Sequence, residues 1–183
     1  SINNQNFVLH QSGAAFWEEK KILFISDLHL GKIAHFRKHG MAIPEKALFE
    51  NFTRLNEVLD LFDSETIIFL GDLFHSKINN EWNFFADWTK TVSQQIILVE
   101  GNHDIISKKN YADLNIEIYE ELIIDDFLLT HHPTTRENFF NFCGHIHPGI
   151  KLKGLGRQFL SLSCFFRKPH QMILITLEEQ WFL

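Results

Sequence analysis

A chain of 183 residues and 21.5 kDa can bury one sizeable core but is too short for two independent catalytic domains. Apolar residues make up 45% and charged residues 22%, with no apolar run near bilayer length, so membrane-spanning and disordered classes are excluded. The net charge of −6 hides an asymmetry: residues 138–177 hold no acid and carry +5, which leaves −11 for the rest. Such a stretch can meet a polyanion, or it can be a solvated strand edge kept soluble by Lys and Arg.

The elements follow in chain order. Asn6 to His10 and Ala14 to Trp17 read as a hairpin around Gln11-Ser12-Gly13, followed by the apolar run Ile22 to Ile25. Leu48, Phe52, Leu55, Leu59 and Phe62 step by helical spacing, with Pro44 at the start of that helix. A strand at Ile67 to Leu70 leads to a second helix over Glu81 to Val92, with Trp82, Phe85, Thr89 and Val92 on one face. Phe84 and Trp88 fall off that face and are expected as an exposed contact surface or a second packing layer. Short strands recur at Ile96 to Val99, Phe127 to Leu129, Phe139 to Cys143, Phe159 to Leu162 and Met172 to Leu177. Strand-helix alternation giving way to strands predicts a single α/β domain over residues 1–183, with layered sheets and helices outside.

Chemistry-bearing residues follow five of these strands. They are Asp27-Leu28-His29, Gly71-Asp72, Gly101-Asn102-His103-Asp104, His131-His132-Pro133 and Gly144-His145-Ile146-His147. In open α/β sheets the carboxyl ends of strands are where ligands bind. Oxygen from Asp and Asn with nitrogen from His, and no thiolate, suits Mn, Fe, Zn or Mg. Asp27, His29, Asp72, Asn102, His131, His145 and His147 are too many ligands for one tetrahedral ion, and a bridging carboxylate such as Asp72 would serve two. Ions about 3.5–4 Å apart can clamp an in-line displacement at phosphorus. Singly, the pieces have plainer readings: Asp27 as a helix cap, Gly71-Asp72 and Gly101-Asn102 as turn dipeptides, His145 and His147 as strand surface. Their joint occurrence at five strand ends is what those readings do not explain.

Together these blocks resemble the signature blocks of the calcineurin-like metallophosphoesterases. The resemblance implies a four-layer sandwich of two mixed β-sheets flanked by helices, and a metal-dependent hydrolase of phosphoesters. It also implies Asp27, His29, Asp72 and His147 on one ion, and Asp72, Asn102, His131 and His145 on the other. His131 rather than its neighbour His132 occupies the ligand position. His103 would be the catalytic imidazole. His75 stands where the Ser/Thr phosphatase branch has an Asp, so the blocks look more like the nuclease branch. The stretch Asp27-Leu28-His29-Leu30-Gly31-Lys32, then His35-Phe36-Arg37, Gly40 and Pro44, resembles the compact bacterial ligase-associated DNA-damage-response endonucleases of the PdeM type.

From this come the functional expectations: a two-metal phosphodiesterase, Mn being the preferred ion, with DNA as substrate and a ligase or helicase as repair partner. A homo-oligomer is compatible with so small a chain. Lys32, Arg37 and Arg136 are candidate phosphate contacts, although Lys32 and Arg37 could equally form the solvent face of a short helix. Two cysteines and no signal-like opening imply a reducing, cytoplasmic setting without a membrane role. The alternatives are a small-molecule or cyclic-nucleotide phosphoesterase, or a scaffold of the same fold docking partners through Trp82, Phe84 and Trp88.

Overall fold

The computed structural model describes residues 1–32, 47–75 and 77–176. Pro44, the stretch from His35 to Gly40 and with it Arg37 lie outside the described residues. Thirteen strands and three helices are described. The first sheet runs in spatial order from β1 (Phe7–Leu9) through β2 (Ala15–Trp17), β3 (Ile22–Ile25), β4 (Thr66–Leu70) and β5 (Gln95–Val99) to β6 (Glu117–Tyr119). β1, β2 and β3 are antiparallel neighbours, and β3 to β6 are parallel. The parallel strands are near-continuous Ile, Leu, Phe and Val because both of their faces are covered.

The second sheet is also mixed. Its order is β12 (Phe166–Lys168), β13 (Gln171–Ile173), β9 (Phe140–Cys143), β8 (Phe127–Leu129) and β7 (Leu122–Ile124). β13, β9 and β8 run parallel inside antiparallel edges. A ribbon of β10 (Gly149–Lys153) and β11 (Phe159–Ser163) stands apart from both sheets.

Strand alternation splits the core in two. Leu23, Ile25, Ile67, Phe69, Ile96 and Leu98 face α1 (Ala47–Leu61), α2 (Asn80–Thr89) and α3 (Lys108–Ala112). Phe24, Ile68, Leu70, Ile97 and Val99 face Phe127, Leu129, Phe140, Phe142 and Met172 of the second sheet. Much of the high Phe content sits there: Trp17 meets Phe127 edge-on at 4.8 Å between ring centroids, and Phe24 meets Phe142 at 5.3 Å. Among the described residues, α1, α2 and α3 pack on the outer face of the first sheet.

The second helix starts where expected, with the Asn79 side chain accepting from the Glu81 amide at 2.8 Å, but stops at Thr89, short of Val92. Its off-face aromatics are not an exposed docking surface. Trp88 is buried, donates from Nε1 to Asn56 Oδ1 at 2.9 Å and packs near Phe52, while Phe84 lies 5.0 Å from Phe49. The helix is covered on two sides, by the sheet and by α1, which a single-helix periodicity does not reveal.

Candidate metal centre

The loops leaving β3 and β4 are tied together by main-chain hydrogen bonds. The amides of Asp27, His29 and Leu30 donate to the carbonyls of Gly71, Asp72 and Leu73, and His75 donates back to Leu30. Asp27 and Asp72 are thereby held side by side at the ends of adjacent parallel strands. The Asp72 Oδ1 atom accepts from the His103 amide at 2.9 Å, which brings in the loop after β5. The Asp27 carboxylate accepts from Ser26 Oγ and from the His145 amide, which brings in the loop after β9. With His131, after β8, 3.4 Å from Asp72 through Nε2, five strand ends from two sheets converge on two carboxylates.

Close approach demands glycine at three of these ends. A Cβ on Gly71 would strike the His131 ring, one on Gly101 the amide and carboxylate of Asp72, and one on Gly144 Ser26 Oγ and Asp27 Oδ2. Asp27, His29, Asp72, His145 and His147 themselves have φ between 49° and 69°, the left-handed region that non-glycine residues occupy at a cost. Five of the seven expected ligand positions share this conformation, so the backbone turns sharply to aim each side chain inward.

The donor atoms form three overlapping groups. Asp27, His29 and His147 bring one ligand atom each to within 4.8 Å of one another, and so do Asp27, Asp72 and His131. Around His131 Nε2 lie Asn102 Oδ1 at 3.0 Å, His145 Nδ1 at 3.2 Å and Asp72 Oδ1 at 3.4 Å. His131 Nδ1 donates to the Leu70 carbonyl at 3.0 Å, which leaves Nε2 facing Asp72, as a donor when the ring is protonated and as a lone pair when it is neutral. Oxygen and nitrogen lone pairs so arranged repel one another unless a proton or a cation sits among them. The third group is His131, His132 and His145, in which His132 is exposed and its ring lies 4.1 Å from that of His145.

Electrostatics point the same way. Burial pushes the Asp72 carboxyl up, but hydrogen bonds from His131 and the His103 amide outweigh it and hold the group at about 2. Asp27 is likewise held below the usual range, burial being overcome by His147, Ser26 and the His145 amide. Burial takes His29 down to about 4 against the pull of Asp27 and Asp72, leaving a neutral ring at physiological pH. Its Nδ1 is buried and has no hydrogen-bond partner among the described residues. Two ionised carboxylates, 1% and 2% exposed, whose ion-pair partners are the imidazoles of His147 and His131, suit divalent cations in charge and donor chemistry. Asn102 and His147 are exposed and His145 half-buried, so the centre is closed on the Asp72 side and open on theirs.

The model of the calcineurin-like phosphoesterase family matches residues 20–164 of this sequence. The chain belongs to the calcineurin-like phosphoesterases. This phosphoesterase is similar to the crystal structure of the Pseudomonas putida nuclease MPE, with 26% identity, a TM-score of 0.84, and coverage of 99% of this chain and 86% of that one. It shares its fold with AQ665, a protein of unknown function from Aquifex aeolicus, at 24% identity and a TM-score of 0.51, over 69% of this chain and 78% of that one. No curated protein matches it. It is a metal-dependent hydrolase of phosphoester bonds.

Around the phosphoesterase centre, His103 is half-buried with its ring 6.0 Å from His29 and stacked on His75 at 5.0 Å. Lys32 is half-buried, three residues beyond His29. Arg136 is engaged by both oxygens of Glu121 at 2.9 and 2.7 Å, so a phosphate would have to displace that carboxylate. Cys143 is fully buried and its thiol pushed up to about 12 by burial, which fits a small apolar side chain and no nucleophile.

Three positioning residues escape a motif reading. Glu81 is 1% exposed and accepts from the Gly31 amide at 2.6 Å, pinning the loop after His29 to α2. Asp104 accepts from the amides of Gly101 and Phe74, joining the loops after β4 and β5. Asn141 donates to the Leu128 carbonyl and Thr130 Oγ1 and accepts from the Thr134 amide, bracing the turn that bears His131. Asp104 stands inside a block and Glu81 opens a helix, so both were visible as residues, but their partners lie 30 and 50 positions away.

Proposed function

We propose that this phosphoesterase is a two-metal phosphodiesterase that cleaves nucleic acid, with Asp27, His29, Asp72 and His147 holding one ion and Asp72, Asn102, His131 and His145 the other. The observation that carries the reading is the convergence of Asn102, Asp72 and His145 on Nε2 of a His131 ring whose Nδ1 proton is committed to Leu70. When bound, a pair of divalent cations neutralises charge on the phosphorus centre and acidifies the attacking water. The protein's own residues do the remainder. Asp72, fixed by the His103 amide and grouped with Asp27 and His131, would be the carboxylate shared by the two ions. His103, on the open rim, donates a proton to the leaving oxygen. Mn is the preferred ion, with the mixed Asp, Asn and His donors compatible with Fe, Zn or Mg.

Support for a nucleic-acid diester comes from the similarity to the P. putida nuclease and from the placement of the basic stretch. The ribbon opens at Gly149, two residues after His147, and Lys151, Lys153 and Phe159 share one of its faces, with the Lys151 ammonium 4.5 Å from the Phe159 ring. A repair role beside a ligase or helicase rests on the subfamily resemblance. The test is a panel of single-stranded DNA, duplex DNA, RNA, cyclic nucleotides and chromogenic mono- and diesters with Mn, Mg and Zn. Mn-dependent cleavage of diesters and polynucleotides is expected; turnover of monoesters or cyclic nucleotides alone would replace the nuclease reading with the small-molecule one.

A further inference from the structure

We propose that the β10–β11 ribbon is a self-association surface, through which two copies of this chain pack face to face. The register pairs Ile150 with Leu162 and Leu152 with Leu160, so four aliphatic side chains line one face. Their exposures are 49%, 44%, 44% and 52%, and Leu155 at the ribbon's tip is 94% exposed. Every residue of β10 and four of the five in β11 are exposed, and among the described residues neither strand joins another sheet. A lone two-stranded ribbon is marginal in water and gains its stability from cover on one face. The aliphatic face is the one to be covered.

The occupant follows from charge and area. Lys151 and Lys153 are on the opposite face with Phe159 and Ser161, so nothing on the aliphatic face can pair with a phosphate or a carboxylate. An identical charge-free face is its natural complement, and a two-fold axis through the ribbon would keep the lysines of both copies on the outside. The five aliphatic side chains together expose on the order of 500 Å², at the scale where such patches mark interaction sites. The ribbon's main chain and rim extend this toward the ~800 Å² per partner of a stable interface. The surface is independent of the nuclease reading, since none of these side chains belongs to the metal centre.

Sedimentation equilibrium of the full chain tests this. Wild type should be dimeric at micromolar concentration, while Leu152→Lys/Leu160→Lys and Leu152→Glu/Leu160→Glu should each be monomeric with unchanged hydrolysis of bis-(p-nitrophenyl) phosphate. An equimolar mixture of the Lys and Glu variants should recover a heterodimer, a result that misfolding of either variant cannot produce. A wild type that stays monomeric, or charge variants that stay dimeric, would overturn the proposal. So would a monomeric wild type whose variants lose polynucleotide cleavage alone, which would assign the face to substrate.

Discussion

Asp72 ties three parts of the site together: its carboxylate meets the His103 amide and the His131 ring, and the carbonyl of the same residue takes the His29 amide. Its acidity and its position have the same cause, since the hydrogen bonds that hold it near 2 also fix it beside Asp27 and His131. His103 stands in a different relation to the centre. Its backbone anchors Asp72 while its ring faces the rim, so His103→Ala keeps the amide and removes only the imidazole. That variant should bind metal as wild type does and lose about 10²–10⁴-fold in turnover of a diester with a poor leaving group, read from steady-state rates beside metal content. With p-nitrophenolate, which needs little protonation, the loss should be smaller. Equal losses on both substrates would remove the proton-donor role.

At the scale of elements, the loops are locked to one another by buried carboxylates that coordinate nothing. Glu81→Ala leaves the Gly31 amide without its acceptor and opens space beside α2. A destabilisation of about 1–3 kcal/mol in urea unfolding is expected, together with reduced turnover, because the loop after His29 loses its anchor. Asp104 makes a pH-dependent version of the same contact. Burial, the largest influence, pushes its carboxyl to about 6 from an ordinary 3.8, against the pull of the Gly101 and Phe74 amides. The folded state therefore holds the proton more tightly than the unfolded chain. Asp104 is most favourable below about pH 4 and grows costlier as pH rises to about 6, by on the order of 3 kcal/mol. In metal-free protein, the stability of Asp104→Asn relative to wild type should rise over that window and level off above it; a pH-independent difference would contradict the shift.

These elements also mark how far the sequence could be read. Strand positions were legible because both faces of β3, β4 and β5 are buried and leave uninterrupted apolar runs, and the blocks were legible because each follows such a run. The left-handed turns at Asp27, His29, Asp72, His145 and His147 were not, since only Gly advertises that conformation. Nor could periodicity tell that Trp88 packs against α1, because a pattern along one helix does not show a second neighbour. The ribbon's strands were partly anticipated at Phe159 to Leu162, but their isolation from both sheets is a property of pairing, not of composition.

Over the whole molecule, the acid-free stretch and the acidic remainder occupy different places. The basic Lys151 and Lys153 stand on the ribbon that leaves the metal centre, whereas Asp27 and Asp72 are sunk beneath its open rim. An overall charge of −6 is thus compatible with an anionic substrate at this one location. Two cations would offset both buried carboxylates and leave the centre positive. The most direct measurement is the number of Mn ions bound per chain by purified protein, titrated calorimetrically and checked by elemental analysis, for wild type and Asp72→Asn. Two equivalents in wild type are predicted, with weakened binding of both and loss of diester hydrolysis in the variant. A fully active wild type with a single equivalent, or an Asp72→Asn variant that keeps both ions and full activity, would contradict it.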